Sequence, residues 1–161
     1  MKYNSRGLIF SQGKLLLIKH SPIGKWVIPG GHTEKQENLK QALTREIEEE
    51  LNIEIKFLQK YKSLDKKEGI ESLPPPFYNH TLEDKRNKRQ VFYYLCYTHS
   101  PSKMNIKNSE IYSAKWFTYK EVLNSPEMPE GLRKLYKRAF YNYFLWKFRF
   151  NFMFSNVEFI R

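Results

Sequence analysis

The sequence predicts one α/β domain spanning residues 1–161, and three observations carry that expectation. Gly7 to Phe10 and Leu15 to His20 are short apolar runs separated by Ser11-Gln12-Gly13-Lys14, which reads as a β-hairpin. Leu39, Leu43, Ile47 and Leu51 recur every four residues and form the apolar stripe of a helix. Val91-Phe92-Tyr93-Tyr94-Leu95-Cys96-Tyr97 reads as a buried strand. A chain of 161 residues suits a single core. Its 40% apolar content fills that core, and 16% aromatic content leaves rings for an interface or a ligand.

The remaining elements follow in order. After the hairpin, Ser21 to Gly31 is punctuated by glycine and proline and holds Trp26-Val27-Ile28-Pro29-Gly30-Gly31. Asn38 is placed to cap the helix, with Gln41 three residues on completing a capping box. Ile53 to Leu58 reads as a strand. Lys62 to Gln90 is long, charged and broken by Pro74-Pro75-Pro76, the profile of a functional or mobile loop. Ser113 to Phe117 reads as a strand, and Thr118 with Glu121 opens a short helix. Pro126 and Pro129 punctuate the chain before a basic, aromatic helix from Gly131 to Trp146. In the tail, Phe148, Phe150, Phe152 and Phe154 alternate with Arg149, Asn151 and Met153. That period of two predicts a strand with one aromatic face, making an intramolecular or dimer contact ahead of RNA or membrane binding.

The net charge of +11 favours anionic partners such as nucleotides, RNA or membrane surfaces without choosing among them, and solubility alone is an equal explanation. Cys96 is the only cysteine, so no internal disulfide forms; it reads as a packed thiol in a reducing compartment. No early apolar stretch resembles a signal peptide, and no window of about 18 uncharged apolar residues suggests a membrane span. A cytoplasmic protein is expected.

Glu46, Glu49 and Glu50 are spaced i, i+3, i+4, within one arc of roughly 100° on a helix. Carboxylates so close repel one another, at a few tenths of a kcal/mol per pair in water and more when desolvated. A divalent cation among them removes that cost, and hard oxygen donors suit Mg²⁺ or Mn²⁺. A solvated acidic face is the alternative. Two features weigh against it: the chain is otherwise basic, and a glycine-rich turn precedes the helix and lets backbone approach a ligand.

Gly31, Glu37, Arg45-Glu46-Ile47, Glu49-Glu50 and Asn52-Ile53 together resemble the Nudix box, G-x5-E-x7-R-E-U-x-E-E-x-G-U. Asn52, in place of glycine, is the one departure. Asn tolerates the left-handed backbone expected there better than other non-glycine residues. Gln36 also stands where many relatives carry glycine. The resemblance extends over about residues 5–125, leaving a basic, aromatic extension at about 129–161.

The resemblance implies a Nudix-type α/β/α sandwich with a mixed sheet. It implies metal-dependent hydrolysis of a phosphoanhydride in a nucleoside diphosphate linked to another moiety, with water attacking phosphorus. Glu49 and Glu50, with the Gly30 carbonyl, would hold Mg²⁺ or Mn²⁺. Glu46 would be a further ligand or the base. Arg45 would hold a glutamate in place, and Glu37 would buttress the loop–helix junction. Glu110 is a second candidate base, with an exposed turn residue as the equal reading. Glu68, Glu71, Glu83 and Asp84 also fall within reach. A catalytically silent Nudix-like module that binds a nucleotide or RNA is the alternative function.

Substrate selection is expected outside the box. Phe77, Tyr78 and His80 offer rings for a base, and Lys85, Arg86, Lys88 and Arg89 offer cations for phosphates. A solvated basic loop is the alternative. Arg6 and Lys19 flank the hairpin and are placed to face phosphates. Positions 68 to 71 read Glu-Gly-Ile-Glu, without the proline or tyrosine that would mark ADP-ribose or dinucleoside polyphosphate members, and the Trp26 segment lacks the glutamine of RNA pyrophosphohydrolases. The expected partner is a small-molecule nucleotide, with a homodimer left open and an RNA substrate lacking a specific motif.

Overall fold

The computed structural model describes residues 2–58, 74–83 and 88–155. The elements are β1 (Lys2–Ser11), β2 (Lys14–Lys19), β3 (Gly30–His32), α1 (Leu39–Leu51), β4 (Lys56–Phe57), β5 (Tyr78–Glu83), β6 (Lys88–Tyr97), β7 (Ser113–Phe117), α2 (Tyr119–Asn124) and α3 (Arg133–Ser155). Among the described residues the strands form one seven-stranded mixed sheet along β4-β6-β1-β2-β7, with β3 paired to β1 and β5 to β6.

The hairpin turns through Gln12 and Gly13, both at positive φ (49° and 80°). Central β1 shares one edge between β2 and β3, while its other edge runs parallel to β6, pairing Arg6 with Tyr93 and Phe10 with Tyr97. Both sheet faces are covered, so strands such as Leu15–Ile18 are apolar at every position rather than at alternate ones. Leu8, Phe10, Leu15, Leu17, Tyr93 and Leu95 face α2 and α3. Ile9, Leu16, Ile18, Tyr94 and Cys96 face Leu43, Ile47 and Leu51 of α1. This is the α/β/α sandwich. Cys96 is wholly buried, which pushes its thiol pKa up.

α1 is capped as its sequence dictates. Gln41 N–H donates to Asn38 Oδ1 and Asn38 N–H to Gln41 Oε1, both at 2.9 Å. Asn52 ends the helix at φ 54°, ψ 38°, its N–H donating to the Glu48 carbonyl. Thr118 and Glu121 cap α2 in the same reciprocal way. α3 docks on the sheet through rings: Phe10 stacks on Tyr143 at 4.4 Å and meets Phe140 edge-on at 5.1 Å.

Four expectations are corrected. The tail is not a strand: α3 runs without a break to Ser155. No glycine or proline lies between Arg133 and Ser155, so an established helix propagates one bond per residue through the alternating phenylalanines. That helix begins at Arg133 rather than Gly131, after a 3₁₀ turn at Glu130–Leu132. Part of the expected 62–90 loop is sheet, since Tyr78–Glu83 and Lys88–Gln90 form the β5–β6 ladder that reaches from Tyr78↔Tyr93 to Glu83↔Lys88. The strand expected over 53–58 contracts to Lys56–Phe57, while Ile53 and Ile55 are buried from an irregular segment. Lys62, Glu68, Glu71, Asp84, Lys85 and Arg86 lie outside the described residues.

Candidate active site

The site is built where β3 leads toward α1. Gly30 has φ 122°, and a Cβ there would collide with the Ser5 carbonyl. At Gly31 a Cβ would collide with the carboxyl group of Glu46. The first glycine therefore supplies a backbone conformation, and the second supplies space for an acidic side chain. Gln36 turns the loop at φ 66°, a left-handed conformation that side chains rarely adopt.

Arg45 is the hub of the acidic face. Its Nε and Nη2 donate to the two oxygens of Glu37 at 2.9 and 3.0 Å, a bidentate pairing. Nη1 reaches Glu49 Oε2 and Glu46 Oε1, each at 3.1 Å, and Nη2 donates to the His32 carbonyl at 3.1 Å. The hydrogen bonds from Arg45 are the main cause holding the Glu37 carboxyl below its ordinary pKa. Glu37 in turn raises the pKa of Arg45. One cation thus fixes the loop to the helix and holds two of the three clustered carboxylates.

Glu50 is different. It is buried, at 7% exposure, and its Oε2 has no hydrogen-bond partner. Burial, then repulsion from Glu46, pushes its pKa up to about 7, opposed by Arg6 and by a backbone hydrogen bond from Gly30. Glu110, in an exposed turn, adds to that repulsion; its N–H donates to Asn108 Oδ1 at 2.8 Å. Among the described residues, no three His, Cys, Asp or Glu side chains converge on one cation position. The donors are nevertheless hard oxygens, and Glu50 Oε2 is a buried acceptor still to be satisfied. Their chemistry fits a divalent cation.

Arg6 donates from Nη1 to the Ile28 carbonyl at 2.6 Å. Burial pulls its pKa down, while Tyr93, Glu50 and Glu46 favour its charge and Arg89 opposes it. Arg6 therefore links the carboxylates to an aromatic group on β5 and β6. In that group Tyr78, His80 and Tyr93 lie with ring centroids 5.4 to 6.0 Å apart. Tyr78 is exposed. Phe77 instead packs against the α3-side core, with the Arg138 guanidinium 5.6 Å from its ring centre. Lys19 Nζ pairs with Glu127 Oε1 at 2.7 Å and lies 5.0 Å from the Trp26 ring centre, so its charge is already engaged.

Sequence reading missed Tyr93 and Tyr136. Tyr136 is fully buried, its hydroxyl is unpartnered, and it senses both Tyr93 and Arg6. Nothing local marks either residue; the parallel β1–β6 register and the packing of α3 bring them there.

A profile of the NUDIX domain matches residues 3–139. The chain belongs to that family. Solved structures share the fold. A NUDIX-family hydrolase from Clostridium perfringens is 23% identical with a TM-score of 0.71, over 86% of this chain and 95% of that one. An Ap4A hydrolase binary complex from C. elegans is 20% identical with a TM-score of 0.66, over 90% and 98%. The MutT protein of Methanosarcina mazei Go1 is 20% identical with a TM-score of 0.62, over 86% and 91%.

Proposed function

We propose that this chain hydrolyses a phosphoanhydride bond in a nucleoside diphosphate linked to another moiety, such as an NTP, a nucleotide sugar or ADP-ribose. The observation that carries the proposal is Glu50 Oε2, a buried and unsatisfied carboxylate oxygen that feels the charge of Glu46. A buried carboxylate oxygen with no donor is costly, and a cation is a ligand that would satisfy it. Glu46, Glu49, Glu50 and the Gly30 carbonyl would hold Mg²⁺ or Mn²⁺. Bound there, the cation would lower the pKa of water and neutralise charge developing on the pyrophosphate.

The chain's own groups supply the rest. Arg45 positions Glu46 and Glu49 through its shared Nη1. Glu46 or Glu110 takes the proton from the attacking water. Arg6 and Arg89 bring positive charge to the phosphates, and the Tyr78 and His80 rings, backed by the buried Tyr93, offer a surface for the base. The free, buried Cys96 suits a reducing cytoplasmic setting. The names of the matched structures, an Ap4A hydrolase and a MutT protein, support nucleotide substrates as a class.

The test is turnover, with Mg²⁺ or Mn²⁺, of a panel containing NTPs, nucleotide sugars, ADP-ribose, dinucleoside polyphosphates and capped RNA. Cation-dependent release of phosphate or a mononucleotide from at least one member is expected. Binding without turnover across the panel would favour a silent binding module.

A further inference from the structure

We propose that the outward face of α3 docks on an anionic lipid surface. α3 has two apolar faces. One is consumed by the core: Leu135, Tyr136, Ala139, Phe140 and Tyr143 are buried against the sheet. The other is open. Tyr141, Phe144, Leu145 and Phe148 are 65%, 46%, 40% and 72% exposed. Their i, i+3, i+4, i+7 spacing places them in one arc, and with Lys147 they line a single open groove. The core does not need this second stripe, and contiguous exposed apolar surface marks an interaction site.

Charge identifies what covers it. Arg133–Ser155 contains Arg133, Lys134, Lys137, Arg138, Lys147 and Arg149 and no acidic residue. Arg133 is held by Glu130 and the carbonyls of α2, but the other five are exposed. Lys134 and Lys137 lie on the arc of the apolar stripe, one to two turns before it, and Lys147 and Arg149 flank it. A second copy docking on the same face would set these cations against their own kind. RNA would satisfy the cations and stack the rings but offers no hydrocarbon to Leu145 at the centre of the stripe. Acidic headgroups over an acyl boundary supply both partners. No described helix is long and apolar enough to cross a membrane, so α3 would lie in the plane of the surface.

The placement leaves the carboxylates free. Phe144 lies over the β1–β2 turn at Gly13, and Trp146 packs on Tyr97 at 4.9 Å. Those contacts lie at the Ser11 end of β1, beyond its middle, where Arg6 pairs with Gly30. Docking therefore does not depend on turnover, and its failure leaves the hydrolase reading intact.

Flotation of the full chain with vesicles tests the proposal. Vesicles of equal parts phosphatidylcholine and phosphatidylserine should bind it, less as salt rises, and pure phosphatidylcholine at least about tenfold more weakly. Leu145→Asp with Phe148→Asp should reduce binding at least about tenfold at an unchanged melting temperature. Lys147→Gln with Arg149→Gln should reduce it about thirtyfold, at roughly fivefold per basic side chain, and stands as the second variant if the first unfolds. No binding to the mixed vesicles, or equal binding to pure phosphatidylcholine, would overturn the proposal. So would a lipid-free dimer that the Leu145/Phe148 variant dissolves.

Discussion

The carboxyl group of Glu46 occupies the space that a side chain on Gly31 would need. Gly31 does not have a left-handed φ, so alanine there costs little in the backbone and acts through the collision. Gly31→Ala should displace Glu46 and lower kcat/KM about a hundredfold, the scale for moving a catalytic group by about 1 Å. Circular dichroism should show the fold retained. Unchanged kcat/KM would separate Glu46 from the chemistry.

Arg45 grips Glu37 with two donors while its remaining nitrogen serves Glu46 and Glu49. Lysine cannot reproduce that planar fork. Arg45→Lys should cost about 1–3 kcal/mol of stability, measured by urea unfolding, for the lost charged hydrogen bonds. It should also lower kcat at least about tenfold, because the carboxylates lose their shared tether.

Asn52 holds φ 54° at the end of α1, and its Nδ2 donates to the Lys103 carbonyl at 3.4 Å. Asn52→Gly should remain close to the native stability. Asn52→Ala should lose about 1–2 kcal/mol, the cost of a left-handed backbone carrying a Cβ. Denaturant midpoints at constant slope report both changes.

The Thr118 N–H and hydroxyl hold the Glu121 carboxyl down at about 2, against an ordinary 4.5. A depressed carboxylate contributes stability that is fully present above its unfolded pKa and is lost as pH falls toward its folded one. The melting-temperature advantage of the native chain over Glu121→Gln should therefore be constant above about pH 5.5 and shrink progressively below pH 4.5. The side chain is half-exposed, so the effect is small and is reduced by salt. An advantage that persists unchanged at pH 3 would contradict the cap's charge.

Local signals carried much of this architecture. The hairpin, both capping boxes and the left-handed Asn52 are written within a few residues of where they act, because turn and cap chemistry is short-range. Glu46, Glu49 and Glu50 share a face because helix geometry is fixed. Long-range features were not legible. Parallel pairing of β1 with β6 sets Arg6 against Tyr93, and no local pattern specifies that register. Lys19 reads as a free cation until Glu127 arrives 108 residues later. The alternating phenylalanines of the tail satisfy a strand period, yet a helix already formed at Arg133 decides their conformation. The opposite burial of Glu50 and Glu49, side by side in sequence, is also set by packing: Glu50 turns toward Gly30 and Arg6, Glu49 toward solvent and Arg45.

The central claim is that Glu49 and Glu50 operate a cation-dependent phosphoanhydride hydrolase. Steady-state turnover of the best nucleotide from the substrate panel, in saturating Mg²⁺, tests it most directly in the native chain, Glu49→Gln and Glu50→Gln. A loss of more than about a hundredfold in kcat/KM is expected for either variant, with melting temperatures showing both folded. Full activity in both variants would contradict it.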